Sequence, residues 1–193
     1  MKYNVALIGL GNVGFKYDKN FKNKSYLTHY SSIKNTEGFE LTLAVDNNEK
    51  NRNEFEIFSQ QKAISVNEIN SINKKIDIVV VATPPESHME IIKEVIILKP
   101  KLILCEKPLS LSNKETKDII KICSLNNINL ELNYFRRFEQ SAVEIKKILS
   151  NISFFRATVF YSNGVINNSS HFIDLVNYWF GKPKNVFLKK NNG

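Results

Sequence analysis

Short runs of β-branched and aliphatic residues alternate with helix-like stretches over the first two thirds of the chain, a pattern that predicts a parallel α/β sheet. Tyr3 to Ile8 reads as a buried strand and Leu41 to Val45 as a second. Ile76 to Ala82, centred on Ile78-Val79-Val80-Val81, is the clearest strand; Leu102 to Cys105 and Ile128 to Leu132 follow, and Ala63 to Val66 is a weaker candidate. Two crossover helices have readable starts. Thr83-Pro84-Pro85-Glu86 offers an N-cap hydroxyl, proline at the first helical position and a glutamate three residues on, ahead of Met89, Ile92, Val95 and Ile96 at helical spacing. Ser112-Asn113-Lys114-Glu115 repeats this capping box before Ile119, Ile122 and Cys123. Right-handed crossovers would lay both helices against the sheet.

Beyond about Leu132 the texture changes. Ala142 to Leu149 reads as a helix, Phe154 to Tyr161 as a strand, His171 to Phe180 as an amphipathic helix closed by Gly181, and Asn185 to Leu188 as part of another strand. The expected architecture is α/β: a doubly wound parallel sheet over residues 1–125, then over 126–193 the start of a second α/β domain with an open, incomplete sheet. Uncovered strand edges and an apolar helix face would result. A truncated product, or one half of a split protein, is the corresponding expectation.

Three chemical signals are set into this framework. The first strand runs into Gly9-Leu10-Gly11-Asn12-Val13-Gly14, the dinucleotide fingerprint: a tight turn at the first glycine, room for a pyrophosphate at the second, close helix packing at the third. A glycine-rich turn with no ligand is the plain alternative. Asp46 ends the second strand, where a carboxylate accepts hydrogen bonds from an adenosine ribose and repels a 2′-phosphate, so NAD is favoured over NADP. Its distance from the glycines exceeds the usual ~20 residues because Phe15 to Tyr30 adds a polar insertion, which leaves a solvated loop aspartate as the alternative. Thr83 and Pro84 leave the carboxyl end of the central strand, the ligand edge of an open α/β sheet. His88, in the first turn of the following helix, reads from the residues alone as a structural hydrogen-bonding group. Finally, Glu106-Lys107-Pro108 follows the next strand and should deliver Lys107 to the same crevice, with a trans proline fixing the backbone and Glu106 as a neighbouring charge. A lysine ammonium there would stabilise a developing alkoxide beside a nicotinamide.

The succession GLGNVG, VATPPESH and CEKPLS, followed by Asn133-Tyr134-Phe135-Arg136-Arg137-Phe138 and Ser170-His171-Phe172-Ile173-Asp174, resembles the glucose-fructose oxidoreductase, inositol dehydrogenase and rhizopine-catabolism family over essentially the whole chain. The resemblance implies an NAD(P)-dependent oxidoreductase that oxidises a secondary alcohol of a sugar, inositol or nucleotide-sugar. It implies that Gly9, Gly11, Asn12, Val13, Gly14, Asp46, Thr83, Pro84, His88, Glu106 and Lys107 line the cofactor. Lys107, Asn133, Arg136, Asn167 and His171 would hold substrate, with Lys107 and His171 as the catalytic pair and His171 taking the hydroxyl proton. Asp174, one helical turn on, would either orient His171 or pair locally. Many members carry an aspartate where this chain has Asn167, and an amide cannot accept a proton as a carboxylate does; relatives with asparagine there tilt the expected substrate toward nucleotide-linked sugars. A catalytically silent dinucleotide-binding chain is the competing expectation.

Composition narrows the partners. The chain of 193 residues carries 27 lysines and arginines against 19 acidic residues, a formal charge of +8, yet its cations are scattered singly and in pairs. This fits a solvated basic surface or an anionic small molecule better than nucleic acid. Cys105 and Cys123 each fall in an apolar run, as reduced buried thiols do, and point to a cytoplasmic setting without a disulfide framework or a metal. The first apolar stretch is too short for a signal peptide and nothing approaches a membrane span. A homo-oligomer or a complementing C-terminal chain completes the expected partners.

Overall fold

The computed structural model describes residues 2–19, 28–152, 156–160 and 169–187, in two compact units, Met1–Asn133 and Tyr134–Gly193. The first unit is built on six strands: β1 (Tyr3–Ile8), β2 (Phe39–Val45), β3 (Ala63–Ile64), β4 (Ile78–Val81), β5 (Leu102–Cys105) and β6 (Asn129–Leu132). All pair in parallel in the order β3-β2-β1-β4-β5-β6. This is the doubly wound order, reversing at β1.

Burial on both faces explains the continuous apolar runs, since every residue from Val5 to Ile8 is at most 1% exposed. On one face Val5, Leu7 and Val80 join Phe15, Tyr30, Ile33 and Phe55. These come from a π-helical turn over Asn12–Lys16, which leads into α1 (Tyr17–Lys19), and from α2 (His29–Asn35) and α3 (Glu49–Ser59). Phe55 meets Phe15 and Tyr30 edge to face, each at 5.3 Å between ring centres, the arrangement that aromatic quadrupoles favour. On the opposite face Ala6, Ile8, Val79, Val81, Ile103 and Cys105 pack with Ile91, Ile92, Val95, Ile119 and Cys123, carried by α4 (His88–Val95) and α5 (Asn113–Leu125).

Differences from the sequence expectation have local causes. The boundary between units falls after Asn133 rather than residue 125, because β6 pairs with β5 and so belongs to the first sheet. Thr83 does not cap α4. The chain first makes a tight 3-10 turn over Pro85–Ser87, with Pro84 before it, and no side chain caps either segment. Ser112 does cap α5, accepting the Glu115 N–H at 3.4 Å, but the reciprocal half of the box is diverted: Glu115 takes the Ser110 hydroxyl instead. The Lys107–Pro108 bond is cis, not trans; an X–Pro amide has only a small preference for trans.

The second unit contains α6 (Gln140–Leu149) and α7 (Ser170–Phe180). Trp179 donates its indole N–H to the Ala142 carbonyl at 2.9 Å, joining the two helices. Gly181 closes α7 at φ 81°, its N–H bonded to the Asn177 carbonyl at 2.9 Å. The expected strands are absent among the described residues: 156–160 and 185–187 carry no regular structure, and the remainder of those two segments lies outside the description.

Candidate functional site

Parallel pairing aligns the strand ends, with Ile8 opposite Val45 on one side and Val81 on the other, then Val81 opposite Cys105 and Cys105 opposite Leu132. The residues that follow these ends therefore share one edge of the sheet. Across it run Asp46, Gly9, Ala82-Thr83, Glu106-Lys107 and Asn133, each tied in by a backbone bond: Asp46 N–H to Ile64 at 3.0 Å, Gly9 to Val45 at 2.8 Å, Ala82 to Ile8 at 2.7 Å, Glu106 to Val81 at 2.9 Å and Asn133 to Cys105 at 2.8 Å. The crevice opens at the reversal between β1 and β4, where open parallel sheets take their ligands.

The three glycines of the loop do different work. Gly9 sits at φ 100° with the Ala82 backbone 2.7 Å from where a Cβ would stand, and at Gly14 a Cβ would lie 2.1 Å from the Gly9 carbonyl oxygen. Both are needed for close backbone approach. Gly11, in an extended conformation at φ −81°, would meet nothing within 4 Å, so the space above it is open to a ligand. Asn12 and Val13 begin the π-helical turn on the exposed side, in the first turn, where backbone N–H groups have no partner within the helix.

Gly9, Gly11, Asp46, Asn51, Thr83 and Pro84 line one cavity of about 340 Å³. The Asp46 carboxylate accepts three hydrogen bonds from its own chain: Leu10 N–H at 2.7 Å, Asn48 N–H at 2.7 Å and the Asn51 amide at 3.0 Å. With roughly four lone-pair positions on a carboxylate, one is left for a ligand hydroxyl. Arg52 donates to the carbonyls of Asp46 and Asn47 at 2.8 and 3.0 Å. The Thr83 hydroxyl is buried and has no hydrogen-bond partner among the described residues. An open approach over Gly11, an orphaned hydroxyl and an anchored carboxylate on one cavity fit the adenosine and pyrophosphate half of a dinucleotide.

Other expected cofactor residues lie elsewhere. His88 is fully buried, its Nε2 at 2.8 Å from the Thr83 carbonyl and its Nδ1 at 3.1 Å from the Leu109 carbonyl and 3.4 Å from the Cys105 sulfur. It braces two strand-end loops from beneath and does not line the cavity, as its structural reading anticipates and the family resemblance does not. Cys105 is inert at neutral pH because burial, reinforced by the Glu106 charge, pushes its thiol far up. Glu106 and half-buried Lys107 follow β5 but are outside the lining of that cavity. Burial raises the Glu106 carboxyl, but hydrogen bonds from His29 and Asn133, the His29 charge and the Lys107 N–H outweigh it and hold the group below the ordinary carboxylate value.

His29, whose position falls in the polar insertion, is the functional candidate that motif reading misses. Its signal is the helix start: Thr28 caps α2 in a capping box with Ser31, ahead of Tyr30 and Ile33 on the buried side. Asn51 is missed likewise; Asn48 caps α3, and only Phe55 on that helix is buried, so the apolar pattern is faint.

In the second unit His171 is 8% exposed, packed against the rings of Tyr134 at 5.8 Å and Phe135 at 5.4 Å. Arg137 grips both Asp174 oxygens, the local pairing that was one of the two expectations for Asp174. That hydrogen-bonded pairing raises the Arg137 guanidinium further above its usual range. Arg136 lies 5.7 Å from the centre of the Phe135 ring and 5.9 Å from that of Phe172. Asn167 lies outside the described residues.

The model of the oxidoreductase family with an NAD-binding Rossmann fold, the glucose-fructose oxidoreductase, inositol dehydrogenase and rhizopine-catabolism group, matches residues 3–134. The chain belongs to this family. The family's fold, a doubly wound parallel sheet, is the fold observed, and its cofactor is NAD. Among curated relatives, the uncharacterized oxidoreductase YrbE of Bacillus subtilis is 34% identical over 76 residues, 39% of this chain and 22% of that protein. Among solved structures, myo-inositol 2-dehydrogenase from Lactobacillus plantarum is 20% identical with TM-score 0.72, over 94% of this chain and 57% of that one. The WlbA dehydrogenase from Bordetella pertussis, solved with NADH and UDP-GlcNAcA, is 20% identical with TM-score 0.74, over 93% and 56%. The chain thus spans little more than half the length of these solved family members. Among the described residues no helix is long and apolar enough to cross a membrane, and no cluster of three or more His, Cys, Asp or Glu could hold a metal.

Proposed function

We propose that this chain carries the NAD-binding part of a dehydrogenase that oxidises a secondary alcohol of a sugar, inositol or nucleotide-sugar. The observation that carries the reading is the cavity at the sheet reversal, where Gly11 leaves open space, Asp46 keeps one acceptor position and Thr83 offers an unused hydroxyl. Asp46 would bind the adenosine ribose, and its charge favours NAD over the 2′-phosphate of NADP. NAD, when bound, supplies the hydride acceptor at nicotinamide C4. Lys107, two strands across the edge from Gly9, would stabilise the negative charge that grows on the substrate oxygen. His171 would take the hydroxyl proton on a ring nitrogen as the C–H hydride leaves. Asn133, Arg136 and Asn167 are the accompanying substrate contacts, and the solved relatives bearing inositol and nucleotide-sugar names support the substrate class.

Fluorescence titration with NADH and NADPH tests the first step, with NADH expected to bind the more tightly. A screen of inositols and nucleotide-sugars tests the second. His171→Ala should abolish turnover while leaving NADH affinity within about twofold, and retained turnover removes His171 as the base. NADH binding without turnover on any such alcohol would favour the catalytically silent reading.

A further inference from the structure

The Glu106 carboxylate is held from two directions that share no sequence motif. His29 Nε2 lies 2.8 Å from Glu106 Oε1, and the Asn133 amide donates to the same oxygen at 2.7 Å. The His29 and Glu106 side chains are only 11% and 15% exposed, so the contact is shielded from water, and hydrogen bonds strengthen when water is excluded. The imidazole also borders an apolar cavity of about 200 Å³ walled by Val5, Ile78, Val80 and Leu104. Neither end of this contact is loose. Thr28 accepts the Ser31 N–H at 3.2 Å, its hydroxyl reaches Asp18 in α1, and the first turn of α2 is thereby fixed. Glu106 follows directly on β5 with its N–H in the ladder to Val81. Lys107 is the next residue along, and its backbone N–H is among the groups that hold the Glu106 carboxyl low.

We infer that His29 is a positioning residue for Lys107, acting through the Glu106 carboxylate. The chain of contacts runs from α2 through His29 to Glu106 and from there to the peptide that carries Lys107. A helix packed on one face of the sheet thus sets the aim of a side chain at the carboxyl edge of β5. The inference rests on the reading that Lys107 works at the nicotinamide end of the cofactor. The adenosine end, at Gly11 and Asp46, is built from other strand ends, and among the described residues His29 makes no hydrogen bond to either.

That division supplies the test. Affinities for NADH and for ADP-ribose, which lacks the nicotinamide, are measured by fluorescence and by displacement for the wild-type chain, His29→Ala, His29→Gln, Glu106→Gln and the double variant His29→Ala with Glu106→Gln. Loss of one buried hydrogen bond at the nicotinamide end should weaken NADH by about 3- to 10-fold, with ADP-ribose unchanged within about twofold. His29→Gln, which retains an N–H donor, should recover most of the loss and serves if the alanine variant folds poorly. In the Glu106→Gln background, His29→Ala should cost much less than alone, because the two residues act in series. Equal weakening of both ligands, or losses that simply multiply in the double variant, overturns the inference. Failure of the wild-type chain to bind ADP-ribose overturns the cofactor reading and the inference with it.

Discussion

Alanine at Gly11 and at Gly14 should separate binding from folding within a single loop. At Gly14 the new methyl would stand 2.1 Å from the Gly9 carbonyl oxygen, more than an ångström inside van der Waals contact. Gly9 cannot yield, since its N–H is bonded to Val45 at 2.8 Å and its φ of 100° already holds the turn against Ala82. Overpacking against a side chain costs about 1–3 kcal/mol; against a fixed backbone the upper end applies, about 3 kcal/mol or more. At roughly 2–4 °C per kcal/mol for a chain of this size, Gly14→Ala should lower the melting temperature by about 6–12 °C. Gly11 is the contrast. Its φ of −81° suits alanine and no atom lies within 4 Å of the added carbon, so the unfolded chain loses freedom and the fold gains about 0.4–1 kcal/mol. Gly11→Ala should melt at the wild-type temperature or a few degrees above, yet bind NADH about 10- to 100-fold more weakly, the equivalent of about 1–3 kcal/mol of overpacking transferred to the ligand. Circular dichroism melts and NADH fluorescence read the two quantities separately. Gly11→Ala with wild-type affinity, or Gly14→Ala with wild-type stability, would refute the assignment of roles.

The depressed Glu106 carboxyl contributes stability that is present above its ordinary value of 4.5 and is lost as pH falls through its lower folded value. Urea unfolding from pH 7 down to about pH 3 should therefore show a shallower acid loss in Glu106→Gln than in the wild type; Asp77, held low chiefly by the Asn4 N–H, gives the same acid loss in both proteins and cancels. Parallel acid limbs would show that Glu106 is not held below its unfolded value. His88→Ala removes a buried ring set between two loop carbonyls, one of which its single N–H satisfies, and should cost about 1–3 kcal/mol in urea, while the protein that remains folded binds NADH within about twofold of wild type. A specific loss of NADH affinity without loss of stability would instead place His88 on the cofactor.

The sheet was legible because its signal is one-dimensional. Strands packed on both faces read as near-continuous apolar runs, so Tyr3–Ile8, apolar but for Asn4, and Leu102–Cys105 announce their bounds, whereas Ile76 and Ala82 are apolar neighbours of β4 that core packing and a single ladder bond account for. Amphipathic helices with few buried positions leave a fainter trace, and α3, with Phe55 alone fully inside, passed unnoticed. Side-chain bonding is less legible still. Thr83 has the composition of a cap but keeps its hydroxyl unpartnered, and Glu115 has the spacing of a capping-box acid but turns to Ser110. In each case a competitor a few residues away, a proline turn or a second serine, decides the outcome, and spacing alone does not rank competitors.

The same contrast explains why the glycine loop, Asp46 and Lys107 could be read together although they are far apart in the chain. A parallel sheet sends every strand's carboxyl end to one edge, so a motif placed just after a strand already has an address in space. The order β3-β2-β1-β4-β5-β6 then puts Asp46 to one side of Gly9 and Lys107 to the other, the arrangement that the proposed ribose and nicotinamide roles call for. What the addresses omit is how each group is aimed. Asp46 is aimed by Leu10, Asn48 and Asn51, and Glu106 by His29 and Asn133. Of these, Leu10 and Asn48 are neighbours in sequence of the residues that carry the motifs, while His29 comes from a helix 77 residues before the carboxylate it holds. Support of that kind is set by packing across the sheet, so it emerges only once the fold has brought α2 and β5 together.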